Sequence, residues 1–296
     1  MASSSWVGKG RRDEADQAAC EAMRRELNAM DISATIVIGE GERDEAPMLY
    51  IGEQLGQGGV TIHIAVDPLE GTNLCANGTP NAISVLAASV EGMGFLMHAP
   101  DTYMEKLVVG EECAGVVDIT LPPRVNARLM SKALGKSLDE VTIGILDRPR
   151  HAALIAELRE TGCRVRLVPD GDLSVAIAAL DPDSGVDALM GIGGAPEGVI
   201  TAAAVLCTGG AMQGRLMFRN EEEKARAKTM MEGDIERVLL TEDMARGNVA
   251  FAATGITPGD LLKGVRYGRG VAYTESIVMW SETHTIRRIE TTHRIG

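Results

Sequence analysis

A chain of 296 residues, 45% of them hydrophobic, can bury a sizeable core, as one large domain or as two smaller ones. Its formal net charge of -13 argues against a nucleic-acid partner, and an anionic substrate can be held only where metal ions or local arginines reverse the field. No apolar stretch is long enough to span a bilayer, which excludes a membrane partner through a spanning helix. Met-Ala-Ser-Ser-Ser-Trp has neither a basic n-region nor an apolar h-region, and the five cysteines are scattered without a Cys-x-x-Cys pair. Both point to a cytoplasmic protein with reduced thiols.

Apolar residues at Ala19, Met23, Leu27 and Met30 have helical spacing and predict a helix over 14–30. Asp16 lies in its first turn and, taken alone, is a charge favoured by the helix macrodipole. Thr35-Ile36-Val37-Ile38 predicts a strand that runs into Gly39-Glu40-Gly41-Glu42. There Glu40 is either a solvated turn acid or a ligand packed between glycines. A helix is expected over 44–55, then a glycine-rich turn at 56–59. The run Thr61-Ile62-His63-Ile64-Ala65-Val66 predicts a buried strand ended by Pro68, because proline cannot donate to a sheet ladder.

Asp67-Pro68-Leu69-Glu70-Gly71-Thr72 follows on that strand end. Asp-Pro alone commonly begins a turn. The whole stretch offers two carboxylates three residues apart, a glycine that permits close backbone approach and a hydroxyl, a hard-oxygen set suited to Mg²⁺ or Mn²⁺. Short strands are expected at 82–90, 94–99 and 106–110, with antiparallel connections. Tyr103 lies between two of them, as a structural ring or a holder of a phosphate oxygen.

Beyond Ser137 strands and helices alternate: strands at 142–146, 164–169 and 186–191, helices at 151–162 and 172–180. That pattern implies parallel crossovers and places a domain boundary near residue 138, giving domains 1–138 and 139–296. Arg148-Pro149-Arg150-His151 follows the first of these strands and is either a solvated basic turn or an anion site of guanidinium forks. Asp170-Gly171-Asp172 follows the second, where acids can accept hydrogen bonds from sugar hydroxyls. Gly191-Ile192-Gly193-Gly194-Ala195-Pro196-Glu197-Gly198 follows the third. Pro196 replaces the last glycine of a dinucleotide fingerprint and instead suits a helix N1 position, with Glu197 in the first turn of a helix to about residue 207. A charged helix at 221–231 and strands at 248–253, 271–280 and 283–292 complete the chain, the last two as a hairpin.

Asp16, Glu40, Asp67, Glu70 and Glu197 are individually unremarkable acids at strand ends or helix starts, where loops can converge them. Carboxylates around two or more divalent cations form the apparatus of phosphate-ester hydrolysis, and the cations would supply the positive charge this chain lacks. No Walker glycine loop, Gly-x-Ser-x-Gly elbow or His-Glu-x-x-His is present.

Asp67-Pro68-Leu69-Glu70-Gly71-Thr72 resembles the metal-binding signature of the lithium-sensitive sugar and inositol phosphatase superfamily. The segments 38–49, 100–107, 148–151, 169–172, 191–198 and 253–257 resemble the class II (GlpX-type) fructose-1,6-bisphosphatases. The resemblance implies a layered α/β/α/β/α fold, two sheets with helices between and outside. It also implies two or more Mg²⁺ or Mn²⁺ ions per subunit on Asp16, Glu40, Asp67, Glu70 and Glu197. Substrate contacts would come from Glu70, Gly71, Thr72, Tyr103, Arg148, Pro149, Arg150, Asp170, Gly171, Asp172 and Gly194, with Thr72, Glu70 and Arg12 serving the chemistry. Arg12 stands where the family often has lysine, and little precedes Trp6.

The expected reaction is hydrolysis of the 1-phosphate of fructose 1,6-bisphosphate, as in gluconeogenesis or the Calvin cycle, by a homo-oligomer (dimer or tetramer). The alternatives are a dual enzyme that also cleaves sedoheptulose 1,7-bisphosphate, an inositol or nucleotide monophosphatase-like enzyme, and a silent sugar-phosphate-binding protein.

Overall fold

A computed structural model describes residues 1–40, 48–231 and 233–295. The chain forms two compact units, one of residues 1–96 with 247–296 and one of residues 97–246. The expected boundary near 138 falls inside the second unit. Local alternation of strand and helix marks where crossovers begin, but it cannot show that the last strands return to the first sheet.

The first unit opens with α1 (Arg12–Asn28), whose Ala15, Ala19, Cys20 and Leu27 turn inward. β1 (Ile32–Ile38), β2 (Gln54–Leu55), β3 (Val60–Glu70), α2 (Thr72–Asn77) and β4 (Ile83–Leu96) follow. Of the helix expected over 44–55, residues 44–47 lie outside the described residues, as does the rest of the acidic glycine turn, 41–43. Residues 48–53 form turns that lead into β2.

The second unit holds β5 (Tyr103–Val109), α3 (Pro123–Leu134), β6 (Thr142–Leu146), α4 (Ala152–Glu160), β7 (Arg164–Val168), α5 (Asp172–Ala178) and β8 (Ala188–Gly194). It continues with α6 (Ala195–Thr208), β9 (Ala211–Met217), α7 (Glu221–Met230), β10 (Leu239–Leu240) and α8 (Thr241–Met244). β11 (Ala245–Gly255), β12 (Arg266–Gly268), β13 (Val271–Trp280) and β14 (Thr285–Arg294) then return to the first unit.

The sheet of the first unit runs β12-β13-β11-β4-β3-β1-β2, with β14 paired to β13 as the expected hairpin. That of the second runs β10-β9-β5-β8-β6-β7. In it β6 pairs parallel with β7 and β8, as the alternation predicted, while β5 runs antiparallel to β8 and β9. The protein is therefore mixed α/β with two mixed sheets and helices, the composition a layered α/β sandwich requires.

Each unit has its own apolar core. Leu27, Ile36, Leu55, Ile64 and Val66 form one in the first, and Leu69, Leu74, Cys75 and Ile256 a second. Leu107, Val109, Met130, Ile143, Ile145 and Leu158 form that of the second unit. All five cysteines are free and buried, and no helix among the described residues is long and apolar enough to cross a membrane.

Candidate active site

Residues three apart on a regular strand point to opposite faces, so Asp67 and Glu70 could not cooperate on an unbroken β3. The structure resolves this with a bulge. β3 does not end at Pro68 but runs through it to Glu70, and its register against β4 shifts between Asp67 and Glu70. Proline is tolerated there because a bulge leaves its extra residue out of the ladder. Asp67 Oδ1 accepts a hydrogen bond from Leu69 N–H at 3.0 Å. Asp67 and Glu70 thereby offer carboxylate oxygens within 4.8 Å of one another.

Gly71 then turns the chain into α2 with φ 80°, the left-handed conformation that favours glycine. A Cβ here would also lie 2.8 Å from Leu74 Cδ1. Thr72 opens α2 and donates its hydroxyl to the Leu69 carbonyl at 3.1 Å.

Asp16 and Cys20 are one turn apart on α1, and Glu40 follows β1. Glu40 N–H donates to the Leu49 carbonyl at 3.0 Å, a closure possible because a Cβ on Gly39 would meet that carbonyl oxygen at 1.9 Å. Asp16, Cys20 and Glu40 place donor atoms within 4.8 Å of one another. Burial pushes the Asp16 carboxyl above its ordinary range, with Arg12 at the head of α1 pulling it down and Asp13 raising it. Burial also pushes the Cys20 thiol up, reinforced by the charges of Glu40, Asp16 and Asp67. This thiol, which sequence reasoning missed, shows that one wall of the first unit gathers negative charge. Oxygen-rich, acidic and partly buried, that wall has the donor chemistry of a hard divalent cation.

In the second unit most of the expected site residues stand at the carboxyl ends of the parallel strands β8, β6 and β7, where open α/β sheets bind ligands. Arg148 leaves β6 and reaches Asp170 Oδ1 at 3.2 Å and the Pro169 carbonyl, which ties the β6 and β7 ends together. Arg150, beyond Pro149, donates to the Ile192 carbonyl at 2.7 Å. His151 is buried between the two segments. Its Nε2 accepts from Ile192 N–H at 2.8 Å, so Nδ1 carries the proton and donates to the Leu146 carbonyl at 2.7 Å. Burial lowers its pKa, the Leu146 carbonyl opposing and the Arg150 charge adding to the fall, which fits a neutral ring acting as a staple.

Gly171, with φ 78°, caps α5 and sets Asp172 in its first turn. Asp172, expected to meet a sugar hydroxyl, accepts through Oδ2 from Lys106 Nζ at 2.8 Å. Lys106, on β5, is 1% exposed and is the residue sequence reasoning missed most completely. An alternating strand gives no sign that an inward position will be a lysine.

The glycine run makes room for this chemistry. A Cβ on Gly193 would fall 1.9 Å from Asp172 Oδ2, and one on Gly194 would fall 1.8 Å from Glu197 Oε2. Glu197, in the first turn of α6 behind Pro196, has its Oε2 closed off from solvent with no hydrogen-bond partner among the described residues. Burial raises its carboxyl pKa, Lys106 lowers it, and Asp172 and Asp101 add to the rise. An enclosed, unpartnered carboxylate oxygen fits a cation ligand. Tyr103 opens β5 directly opposite Gly194.

Residues 1–293 match the family described as bacterial fructose-1,6-bisphosphatase, glpX-encoded. The chain is 49% identical to fructose-1,6-bisphosphatase 1 class 2 of Escherichia coli (strain K12), covering 99% of this chain and 91% of that one. It is 46% identical to fructose-1,6-bisphosphatase class 2 of Haemophilus influenzae, covering 99% and 92%. With a match this long and relatives this similar, the chain belongs to the glpX-encoded bacterial fructose-1,6-bisphosphatase family.

Proposed function

We propose that the protein hydrolyses the 1-phosphate of fructose 1,6-bisphosphate, yielding fructose 6-phosphate and phosphate, with Mg²⁺ or Mn²⁺ held by Asp16, Glu40, Asp67, Glu70 and Glu197. Family membership over residues 1–293 carries this reading, and the acidic wall around Cys20 and the enclosed Glu197 oxygen support the ligand set. Bound divalent ions supply Lewis-acid polarisation of the phosphoryl oxygens and charge for the leaving alkoxide. Thr72, fixed through Leu69, orients the attacking water or the phosphate. Arg12 balances the acid at Asp16. Arg148 and Arg150 hold the distal phosphate, and Asp170, Gly171 and Gly194 shape the sugar pocket beside Tyr103.

Phosphate release from a panel of sugar bisphosphates and monophosphates, with each metal supplied separately, tests the proposal. Fructose 1,6-bisphosphate is expected to be cleaved with Mg²⁺ or Mn²⁺ and left intact under chelator. Sedoheptulose 1,7-bisphosphate in the same panel reads the dual activity. Release from no compound would favour a silent binding protein. Replacing Arg148 and Arg150 together by glutamine is expected to raise KM for the bisphosphate at least about 30-fold, the low end of what truncating a desolvated charge pair costs. An unchanged KM would favour a monophosphatase, whose substrate has no distal phosphate.

We also propose a homo-oligomer. Among the described residues β14 pairs only with β13, and the hairpin exposes Tyr273, Trp280, Ile286 and Ile289. A long edge strand with apolar side chains invites pairing. Light scattering is expected to read at least twice the 31.4 kDa of one chain, and a mass of one chain would end this reading.

A further inference from the structure

Tyr103 carries two cations on one ring. The Arg150 guanidinium carbon lies 5.0 Å from the ring centroid and that of Arg219 lies 5.3 Å from it. They arrive from distant parts of the sequence, Arg150 from the turn after β6 and Arg219 from the loop after β9. Tyr103 pairs with Met217, so the end of β9 delivers Arg219 to the ring. A single cation over the face of a half-buried ring gains little. Two guanidinium groups sharing one ring stand within about a Debye length of each other at 0.1 M salt and repel. An anion bridging them converts that repulsion into attraction.

The placement of Arg219 is built, not incidental. Glu223, buried in the first turn of α7, accepts from Thr102 Oγ1 at 2.9 Å, from Arg219 N–H at 2.8 Å and from Arg219 Nε. Asn220 caps the same helix by accepting from Glu223 N–H at 2.9 Å. One buried carboxylate thus ties Arg219 to the residue before Tyr103. The network occupies Nε and leaves both terminal nitrogens of Arg219 without a hydrogen-bond partner among the described residues. Arg150 likewise commits Nε and Nη2 to the Ile192 carbonyl and keeps Nη1 uncommitted among the described residues. Planar forks of this kind match the oxygens of a phosphate monoester.

We propose that Arg219 is a specificity-determining residue that contacts the distal phosphate of the sugar bisphosphate, forming with Arg150 a clamp beside Tyr103. This rests on the reading of Arg148 and Arg150 as the grip on that phosphate. Glu223 is the positioning residue of the clamp.

The test compares R219Q, R219K and R150Q with the unaltered protein, loaded with Mg²⁺ or Mn²⁺. R219Q is expected to raise KM for fructose 1,6-bisphosphate about tenfold and leave kcat within twofold. It is also expected to weaken inhibition by fructose 6-phosphate, which carries only the distal phosphate, by a similar factor. R219K is expected to recover part of both losses, because the charge returns without the fork. An unchanged KM in R219Q, or an equal fall in kcat with KM unmoved, overturns the proposal. If R150Q shifts KM and R219Q does not, Arg219 alone is excluded from the clamp. If neither shifts it, the assignment of the distal phosphate to these arginines fails as well.

Discussion

Glu197→Ala is expected to lower phosphate release at least about 100-fold at saturating Mg²⁺ or Mn²⁺ while the metal-free protein melts no earlier than before. The loss follows from removing a proposed ligand at the point where transition-state charge is held, an interaction that typically accounts for factors of 10² or more. The thermal result follows from the oxygen itself. Glu197 Oε2 is enclosed and accepts no hydrogen bond among the described residues, and such a group costs stability. Taking it away relieves the fold. Calorimetry beside a phosphate-release assay reads both. Retained turnover would remove Glu197 from the ligand set, and a midpoint lowered by more than about 4 °C, roughly 1 kcal/mol or more in a domain of this size, would assign it a structural role instead.

The second large effect concerns the ion pair beneath the glycine strand. Lys106→Met strands Asp172 in the interior without its counter-charge, which for a buried pair costs about 3–5 kcal/mol. The double variant K106M/D172N removes both charges and is expected to return at least about half of that, because neutral groups of similar shape are far cheaper to bury. Activity should stay low in both, since Lys106 is also the charge that opposes the rise of the Glu197 carboxyl pKa, and Asp172 lies against Gly193 in the same glycine run. Urea midpoints at constant m-value report the stabilities. If K106M lay within about 1 kcal/mol of the unaltered protein, the buried pair would not carry the stability assigned to it.

Strands and helices with strong periodicity were readable because local patterning and tertiary burial agree in them. β6, β7, α4 and the β13–β14 hairpin stand close to where alternation and helical spacing put them. Misreadings cluster where a long-range partner decides. Pro68 looks like a terminator until pairing with β4 shows that β3 carries a bulge at this point. Two expected strands are one continuous β4, because Gly92 and Gly94 lie within it and not at a break between strands. The acids and arginines of the site were visible as strand-end residues. What holds them was not. Lys106 hides in an inward strand position, and Arg219 gains meaning only when β9 lies against β5. The sequence likewise offers no cue that a lysine 66 residues away pairs with Asp172.

The first unit is discontinuous, and this orders how the molecule can be made. β4 needs β11 as its neighbour, yet the whole of residues 97–246 emerges from the ribosome between them. Closing an unstructured loop of that length costs about 4 kcal/mol beyond the constant for any closure. The middle block removes most of this penalty by folding first. Its own ends meet, with Met97 N–H donating to the Met244 carbonyl at 2.8 Å, so a finished second unit delivers the last residues of β4 and the first of β11 side by side. Synthesis then reduces the slowest pairing in the chain to a local one, and the acidic wall of the first unit is completed on a sheet whose far half is the last part of the protein to appear.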